Sequence, residues 1–388
     1  MSVDHRLSDE HEQLRATVAE FARDVIAPKI GEFYAQEEFP YEIVREMGRM
    51  GLFGLPFPEE YGGMGGDYFA LGLALEELAR VDSSVAITLE AGVSLGAMPI
   101  FRFGTEEQKR TWLPKLCSGE MLGGFGLTEP EFGSDAGGTR TTARLDESTG
   151  EWVINGTKSF ITNSGTDITG LVTVTAVTGR AEDGRPRISS IIVPSGTPGF
   201  TVSKKYSKVG WNASDTRELS FADCRVPAAN LLGAEGRGYA QFLRILDEGR
   251  IAISALATGL AQGCVDESLS YARTRQAFGR PIGANQSIQF KIADMEMRAH
   301  TARLAWRDAA SRLVHGEPFK KEAALAKLYS SEIAVTNARE ATQIHGGYGF
   351  MNEYPVARMW RDSKILEIGE GTSEVQRMLI ARELGLTG

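Results

Sequence analysis

The sequence is poor in cysteine, in clustered positive charge and in long apolar runs, and each shortage excludes a class of protein. Its three cysteines lie far apart and form no CxxC pair, which is typical of a reducing compartment without disulfides. Forty-two basic against 51 acidic residues give a net charge of −9, without the basic cluster of a nucleic-acid-binding protein. No stretch approaches the roughly 18 consecutive apolar residues of a membrane span, and the N-terminus has no signal-peptide core. We therefore expect a cytoplasmic protein with no membrane span and no nucleic-acid partner.

Several familiar site motifs are also missing. The sequence contains no GxGxxG, no P-loop lysine and no HExxH, so a Rossmann dinucleotide site, a phosphate-loop NTPase and a zinc protease are not expected. No metal site is predicted. Gly92-Val-Ser94-Leu-Gly96 matches the GxSxG pattern of a nucleophilic serine, but that pattern needs a strand before it and a helix after it. Because the match lies inside a helical-looking stretch, 85–101, Ser94 is not expected to be catalytic.

The chain of 388 residues exceeds the length at which one hydrophobic core keeps growing, and its patterning predicts three units. Residues 1–122 have apolar residues at helical spacing and form a predicted N-terminal helical domain. Residues 123–234 hold short β-branched runs separated by turn residues, which favour a β-sandwich or barrel over a parallel sheet. Residues 235–388 return to long amphipathic helices with short connections, as in a helical bundle. The predicted fold class is therefore mainly α with a β middle domain.

Local signals also predict where several elements begin and end. Ser8, followed by acidic residues, is a predicted N-cap of the first helix, and Pro28 is expected to end that helix. Thr105 is predicted to cap a helix over 106–116. Asn155-Gly156 is predicted to form a two-residue hairpin turn, because Asn-Gly favours the turn type that joins two twisted strands.

The segment 362–377 is the most informative part of the chain. It holds Glu370 between Gly369 and Gly371 at the end of an apolar run. A carboxylate held in a cleft there, away from bulk water, becomes a base strong enough for a carbon acid. Taken alone, the pattern is more often a surface turn with a solvated glutamate, so the rest of the chain has to decide.

Other segments indicate ligand binding, each with a plainer alternative. The glycine-rich stretch 124–138 frames hydroxyls and backbone amides that suit an anionic or heteroaromatic ligand, although a flexible connector is the alternative. The segment 160–165 places a second hydroxyl beside an aromatic ring at a strand end. The glycines of 343–350 are in isolation only a helix C-cap. Asp247 and Arg250, three apart on a helix, are in isolation a modest surface ion pair.

Taken together, these blocks resemble the acyl-CoA dehydrogenase family, and in particular its actinobacterial branch. Their order and spacing fit from end to end, so the resemblance covers essentially the whole chain. The blocks that carry it are Phe125-Gly-Leu-Thr-Glu-Pro, Gly-Ser-Asp135, Phe160-Ile-Thr162, Ser214-Asp-Thr-Arg217, Arg275-Gln-Ala-Phe-Gly279, Gln343-Ile-His-Gly-Gly-Tyr-Gly349, Tyr354-Pro-Val-Ala-Arg358 and Glu370-Gly-Thr-Ser-Glu374.

The resemblance implies a helical N-terminal domain, a middle β-barrel and a C-terminal four-helix bundle, assembled as a homotetramer that binds FAD. It implies FAD-dependent α,β-dehydrogenation of acyl-CoA to trans-2-enoyl-CoA in fatty-acid β-oxidation or branched-chain acyl catabolism. Electrons would pass to an electron-transferring flavoprotein. An oxygen-using acyl-CoA oxidase or flavin monooxygenase shares this architecture and stays open as an alternative. A non-catalytic acyl-CoA-binding protein is the third reading.

The resemblance also implies roles for individual residues. Glu370 would be the base. Cofactor contacts would come from Phe125, Leu127, Thr128, Ser134, Phe160, Thr162, Arg275, Phe278, Gln286, Gln343, Ile344, Gly346, Gly347, Thr372 and Glu374. Substrate contacts would come from Ser134, Asp247, Arg250 and Gly371.

Three positions refine the expected site. The family places its base at one of two locations, and the second location is Gly249 here, which cannot serve. Many relatives carry tyrosine immediately before the base, where this chain has Gly369, so we hypothesise a wider acyl pocket that tolerates branched or bulky acyl groups. Glu90, in the helix expected to floor the acyl tunnel, is a second candidate determinant of chain length.

Overall fold

Helices, then strands, then helices follow one another along the chain, in the order that the residue patterning predicts. A computed structural model describes residues 7–386. Ser8 caps the first helix, with its hydroxyl accepting a hydrogen bond from the N–H of His11 at 3.2 Å. Thr105 caps a later helix in a full capping box with Gln108. The helices of this first part are α1 (Asp9–Phe21), α2 (Ala27–Gln36), α3 (Tyr41–Arg49), α4 (Tyr68–Val81), α5 (Ser83–Glu90), α6 (Met98–Phe103) and α7 (Glu106–Cys117).

The prediction that Pro28 ends the first helix is wrong. A π-helical turn, Ala22–Ile26, joins α1 to α2, and Pro28 lies in the first turn of α2. The Ala27 N–H bonds to the Ala22 carbonyl in the π-helical pattern, and the proline, which has no N–H to donate, follows at the change from π to α helix. The helical path therefore continues through the proline.

The middle part is a largely antiparallel sheet in which β4 also pairs in parallel with β1 and β2. Strand β7 alternates buried and exposed residues, whereas β1, β4 and β5 hold continuous buried runs. An apolar cluster that includes Trp152, Ile191 and Phe221 packs inside the sheet. The strand order is β6-β7-β3-β2-β4-β5-β8, with β1 beside β4. The strands are β1 (Leu122–Gly126), β2 (Thr142–Asp146), β3 (Glu151–Thr162), β4 (Thr169–Arg180), β5 (Pro186–Pro194), β6 (Phe200–Val202), β7 (Thr216–Pro227) and β8 (Leu231–Leu232).

The predicted hairpin turn at Asn155-Gly156 is also wrong. Strand β3 runs straight through both residues, and its pairing with β7 slips by a bulge at this point. The Asn155 side chain bonds to Asp223 on β7, with its Oδ1 accepting from the Asp223 N–H at 2.8 Å. The signal marks a bulge because cross-strand pairing on both sides overrides the local turn preference.

Long helices make up the last part, and the longest, α8, packs against α4, α9 and α10. One continuous apolar core joins these helices to the N-terminal ones, with Leu75, Leu256 and Trp306 among its members. The elements are α8 (Gly238–Thr274), β9 (Gln276–Ala277), β10 (Arg280–Pro281), α9 (Gln286–Val314), α10 (Lys320–His345), α11 (Pro355–Leu366) and α12 (Ser373–Glu383).

One helical run among the described residues, Ser83–Phe103, is long and apolar enough to cross a membrane by length and composition alone. Its most apolar window is 89% buried within the protein, which is the pattern of a core helix. Ser94 of the GxSxG match lies in this run, inside a π-helical turn, Ala91–Ala97. It is buried and accepts a hydrogen bond from the Tyr68 hydroxyl at 2.8 Å, so the structure does not present it as an exposed nucleophile.

Candidate active site

Glu370 lies in a tight turn between α11 and α12, and this turn aims its side chain inward. Its backbone φ is +55°, and the next residue, Gly371, has φ +94°. A positive φ is costly for a glutamate and easy for a glycine, so surrounding contacts must hold the turn. On one side, Thr372 caps α12 with its hydroxyl, which accepts from the Val375 N–H at 3.3 Å.

Two buried side chains fix the backbone of this turn. Gln376 donates through its Nε2 to the Gly371 carbonyl at 2.9 Å and to the Glu370 carbonyl at 3.3 Å. From α10, the Nζ of Lys327 donates to the same Gly371 carbonyl at 2.8 Å. The turn is therefore held from its own helix and from a neighbouring one.

The carboxylate of Glu370 is closed off from water. Both of its oxygens are buried, and no donor within residues 7–386 forms a hydrogen bond to either. Burial raises the pKa of Glu370 to about 7, against the opposing effects of Glu90, Lys327 and Arg250. A carboxylate with a pKa near neutrality is a much stronger base than a solvated one. Glu370 is therefore not a solvated glutamate in a surface turn.

Glu90 is a second buried carboxyl beside the first. It is the last residue of α5, it is fully buried, and burial together with the neighbouring Glu370 raises its pKa well above the ordinary value. Two carboxylates this close cannot both stay ionised, so one of them holds a proton at neutral pH. Protonated Glu90 can donate to ionised Glu370, which places the proton on Glu90 and the basic oxygen on Glu370.

Space for the Glu370 carboxylate exists because position 249 on α8 is glycine. A Cβ atom at Gly249 would lie 2.5 Å from the Oε2 atom of Glu370. Any side chain at that position would displace the carboxylate. A base on α8 at position 249 and a base at position 370 would therefore occupy the same space. In this chain the side chain of Glu370, from the turn between α11 and α12, fills that space.

Asp247 and Arg250 flank Gly249 on α8, and the reading of them as a surface ion pair is wrong. Both are buried, the Arg250 guanidinium binds the Asp247 carboxylate, and Lys320 contacts the other Asp247 oxygen at 3.3 Å. The Nε of Arg250 is buried with no partner among the described residues. The structure therefore places a polar, cationic wall next to Glu370.

The glycine-rich stretch enters the site as an ordered strand and loop. Phe125 on β1 stacks on Phe242 of α8, with ring centroids 3.9 Å apart, and Leu127 is also buried. The carbonyl of Thr128 accepts from the Ser159 N–H at 2.8 Å, which fixes the loop against β3. The flexible-connector alternative does not describe this segment.

Sequence reasoning missed the pair that anchors this loop. Glu129 accepts hydrogen bonds from the N–H groups of Arg140 and Thr141 and from the Thr139 hydroxyl. The fully buried Nζ of Lys158 lies 2.8 Å from Glu129 and also donates to the Leu127 carbonyl at 3.1 Å. Burial opposes ionisation of Glu129, but the Lys158 charge and these hydrogen bonds prevail and lower its pKa to about 2.

The end of strand β3 brings Phe160 and Thr162 close to this loop, as expected. Phe160 has φ +62° and a ring that is 65% exposed, while Thr162 is half-buried. Ser134 lies at the exposed end of the glycine-rich stretch. Phe160 and Ser134 are therefore exposed at the surface of the β domain rather than buried in a closed core.

A separate cleft of about 500 Å³ lies where α8 meets the end of α10. It brings together four of the predicted cofactor residues: Arg275, Ile344, Gly346 and Gly347. The Arg275 guanidinium lies 5.4 Å from the centre of the Tyr348 ring. In the same cleft, Tyr271 stacks on His345 at 4.2 Å.

The remaining predicted cofactor residues do not line this cleft. Gln343 is exposed on α10, and Gln286 is the exposed first residue of α9. Phe278 is 99% exposed at the tip of the β9–β10 turn. Thr372 and Glu374 begin α12, beside the Glu370 turn.

The chain matches family models over most of its length. They are described as the acyl-CoA dehydrogenase N-terminal domain (residues 8–120), middle domain (124–224) and C-terminal domain (236–385). Members of this family are FAD-dependent. The open, glycine-walled cleft, with a cation and stacking rings at its edge, fits the adenine and pyrophosphate chemistry of that cofactor.

Individual relatives agree. "Probable acyl-CoA dehydrogenase YngJ" of Bacillus subtilis (strain 168) is 52% identical over 378 residues, covering 97% of this chain and 98% of that protein. Butyryl-CoA dehydrogenase from Megasphaera elsdenii superposes with a TM-score of 0.94 at 42% identity, over 98% and 100% of the two chains. A chain from a structure described as the electron transferring flavoprotein of Acidaminococcus fermentans superposes with a TM-score of 0.95 at 40% identity, over 98% and 99%. The chain belongs to the acyl-CoA dehydrogenase family and is an FAD-dependent oxidoreductase that acts on acyl-CoA.

Proposed function

We propose that this enzyme removes the α-proton of a short acyl-CoA thioester with Glu370 and so forms the trans-2-enoyl-CoA. The observation that carries the proposal is the buried Glu370 carboxylate, which forms no ion pair with a described Lys or Arg and whose pKa is raised to about 7 by burial. A base of this strength is matched to neutral pH, where it is partly ionised and still holds a proton well after accepting it.

The backbone around Glu370 supports the same role. Within residues 7–386, the N–H of Glu370 forms no hydrogen bond to a protein acceptor, so it is available to the thioester carbonyl. Negative charge develops on that oxygen as the α-proton leaves, and one preorganised donor is worth about 3 kcal/mol there. Arg250 contributes positive charge near Glu370 without forming an ion pair with its carboxylate.

The chain and its cofactor each accept one of the two hydrogens that leave the substrate. Glu370 takes the α-hydrogen as a proton, and the electron pair of that C–H bond forms the new double bond. FAD, when bound, supplies the acceptor for the β-hydrogen and its electron pair, which no side chain could accept. Phe125, Leu127, Thr128 and Thr162 are proposed to orient the flavin side of the site.

The acyl pocket is proposed to be short and to accept branching near the thioester. Glu90 closes the space beside Glu370 with a polar group, which disfavours a long apolar chain. At Gly369, a Cβ atom would meet only the Ile365 carbonyl at 3.5 Å, so this side of the base is open. Relatives named as short-chain or butyryl-CoA enzymes support the first part of the proposal.

We further propose that the electrons leave through an electron-transferring flavoprotein. Support comes from a solved structure described as that of such a flavoprotein, one chain of which is similar to this protein. Turnover that depends on added flavoprotein, without peroxide formation, is the expected result. Rapid peroxide formation in its absence would instead favour an oxidase.

The test of the proposed function is anaerobic. Purified enzyme is titrated with acyl-CoA thioesters of increasing length and branching while the flavin absorbance is followed. Short and α-branched substrates are expected to bleach the flavin, and Glu370→Gln is expected to keep its yellow cofactor while losing turnover by several orders of magnitude. Near wild-type bleaching by Glu370→Gln would disprove the role of Glu370, and a preference for long straight chains would disprove the pocket.

A further inference from the structure

A fully buried lysine on α10, Lys327, contacts the turn that carries the base. It is one of the largest side chains in the protein with almost no exposure to solvent. Its Nζ donates to the Gly371 carbonyl at 2.8 Å, one residue after Glu370. A lysine is almost never fully buried unless it is paired, so its placement needs an explanation.

Among the residues that the structure describes, no carboxylate pairs directly with Lys327. Lys158, the comparable buried lysine, lies 2.8 Å from Glu129, whereas no acidic oxygen within residues 7–386 lies within 4.0 Å of the Lys327 Nζ. The charges that face it are Glu370, Arg250, Glu367 and Glu332. Burial lowers its pKa to about 8, and Glu370 is the largest influence in the opposite direction.

The carbonyl that Lys327 holds belongs to the strained part of the turn. Glu370 and Gly371 both have positive φ, and this conformation points the base inward toward Gly249. Gln376 reaches the same carbonyl from α12, and Lys327 is the residue of α10 that forms a hydrogen bond to it. Releasing that tie would let the turn relax and move the carboxylate away from its position.

We propose that Lys327 is a positioning residue for the base: it anchors the Glu370–Gly371 turn through the Gly371 carbonyl, and its positive charge favours the ionised form of Glu370. This role rests on the proposed function of Glu370. The other groups that face Glu370 are Glu90 on α5 and Arg250 on α8, and both remain in the variants below.

The experiment compares three variants. Lys327→Met removes the donor and the charge with little change in volume, and Lys327→Arg keeps both. Asn337→Ala is the matched control, because Asn337 is a fully buried polar residue on the same helix that donates to the Ala261 and Met295 carbonyls, far from the turn. The measurements are FAD content, thermal unfolding and the pH profile of kcat and of kcat/KM.

Loss of a nearby cation makes Glu370 harder to ionise. The acid limb of the kcat profile of Lys327→Met is therefore expected to move up by about one pH unit. Its plateau is expected to fall about tenfold to a hundredfold, because a small displacement of a catalytic group is costly. Lys327→Arg should keep the wild-type midpoint. Asn337→Ala should lower thermal stability without moving the midpoint.

The outcomes distinguish failure of the role of Lys327 from failure of Glu370 as the base. An unmoved midpoint in Lys327→Met, with a loss of activity no larger than that of Asn337→Ala, would overturn the proposal and leave Lys327 a structural residue. If Lys327→Met does not fold, a shifted midpoint in Lys327→Arg would equally overturn it. If Glu370 is not the base, Glu370→Gln will retain turnover, which is a separate result.

Discussion

At the scale of single residues, activity depends on one carboxylate being ionised. Glu370 is the base only when deprotonated, and its pKa is raised to about 7 because its oxygens are buried. We therefore expect kcat/KM to rise with pH through about 7 and then to level off. A profile already flat at pH 5 would mean that the free enzyme keeps Glu370 ionised like a solvated glutamate. Rate measurements from pH 5 to 9 with one short acyl-CoA decide between the two.

The absence of a side chain at position 249 is equally important. Gly249→Ala would place a Cβ atom 2.5 Å from the Glu370 Oε2 atom, so the carboxylate must move. We expect a loss of about a hundredfold in kcat with FAD content unchanged. Gly31→Ala is the matched control, since Gly31 lies in helix α2 with no atom within 4 Å of the new Cβ, and it should keep full activity. Equal activity in both variants would contradict the shared-volume interpretation.

The buried ion pair under the glycine-rich loop gives another prediction. Lys158→Met leaves the buried Glu129 carboxylate without its cation, which costs about 3–5 kcal/mol in the free energy of unfolding. Because Lys158 also holds the Leu127 carbonyl, the variant should release FAD more readily. Lys29→Met removes only a solvent-exposed pair with Glu42 and should change stability by about 1 kcal/mol or less. Chemical denaturation and cofactor fluorescence measure both effects.

At the scale of elements, the Asp362 carboxylate connects α11, the helix that leads to Glu370, to three other parts of the fold. Asp362 accepts hydrogen bonds from the Tyr34 hydroxyl of α2 at 2.6 Å, from the Ser83 hydroxyl of α5 at 2.9 Å and from the Trp211 N–H at 2.7 Å. Trp211 lies in the loop that precedes β7. The helix that leads to Glu370 is therefore tied to both the N-terminal helices and the β domain.

Tyr34→Phe tests this connection. It removes one donor from a fully buried carboxylate and should lower the free energy of unfolding by about 1–3 kcal/mol. Tyr61→Phe is the control, because the Tyr61 hydroxyl donates to Glu106, an exposed residue that water can solvate instead. The Tyr61 variant should lose clearly less stability. Equal losses of stability in thermal or urea unfolding would show that the hydrogen bond from Tyr34 to buried Asp362 contributes no more than the exposed one from Tyr61.

The element order and the helix caps at Ser8 and Thr105 could be predicted from sequence because each depends on neighbouring residues. The role proposed for the 362–377 segment instead depends on the resemblance of blocks along the whole chain. The prediction for Pro28 is wrong for a local reason, because a π-helical turn just before it lets the helical path continue. The prediction for Asn155-Gly156 is wrong because a distant strand, β7, keeps Asn155 in β3. Lys327 and the Lys158–Glu129 pair could not be found in the same way. A single lysine in an alanine-rich helix or a β-strand shows no sign of burial until the fold brings its partner close.

At the scale of the whole molecule, three large apolar residues are exposed on the outer face of α9. Phe290, Met297 and Leu304 recur every seven residues opposite the buried face and are 59%, 60% and 40% exposed. We propose that this stripe joins copies of the chain into the homotetramer that the resemblance implies. The division into domains at 122/123 and 234/235 likewise stays a prediction.

Met297→Glu is expected to reduce the mass of the assembly in light scattering, because it buries a charge in an apolar contact. FAD content should fall with it, if a neighbouring copy completes the cofactor cleft. Met64→Glu is the matched control: Met64 is similarly exposed, at 56%, but lies in a loop of the N-terminal part. A monomeric wild type, or dissociation of both variants, would contradict the assignment of this face.

The shared volume at Gly249 and Glu370 also constrains how such an enzyme can evolve. A lineage that moved its proton acceptor from the loop to the long helix would need two mutations, one at each position. Taking the helix mutation first crowds two acids into a space built for one, and taking the loop mutation first leaves no acceptor at all. Both single-step ancestors would be impaired, so the two arrangements are separated by a fitness valley although their reaction is the same.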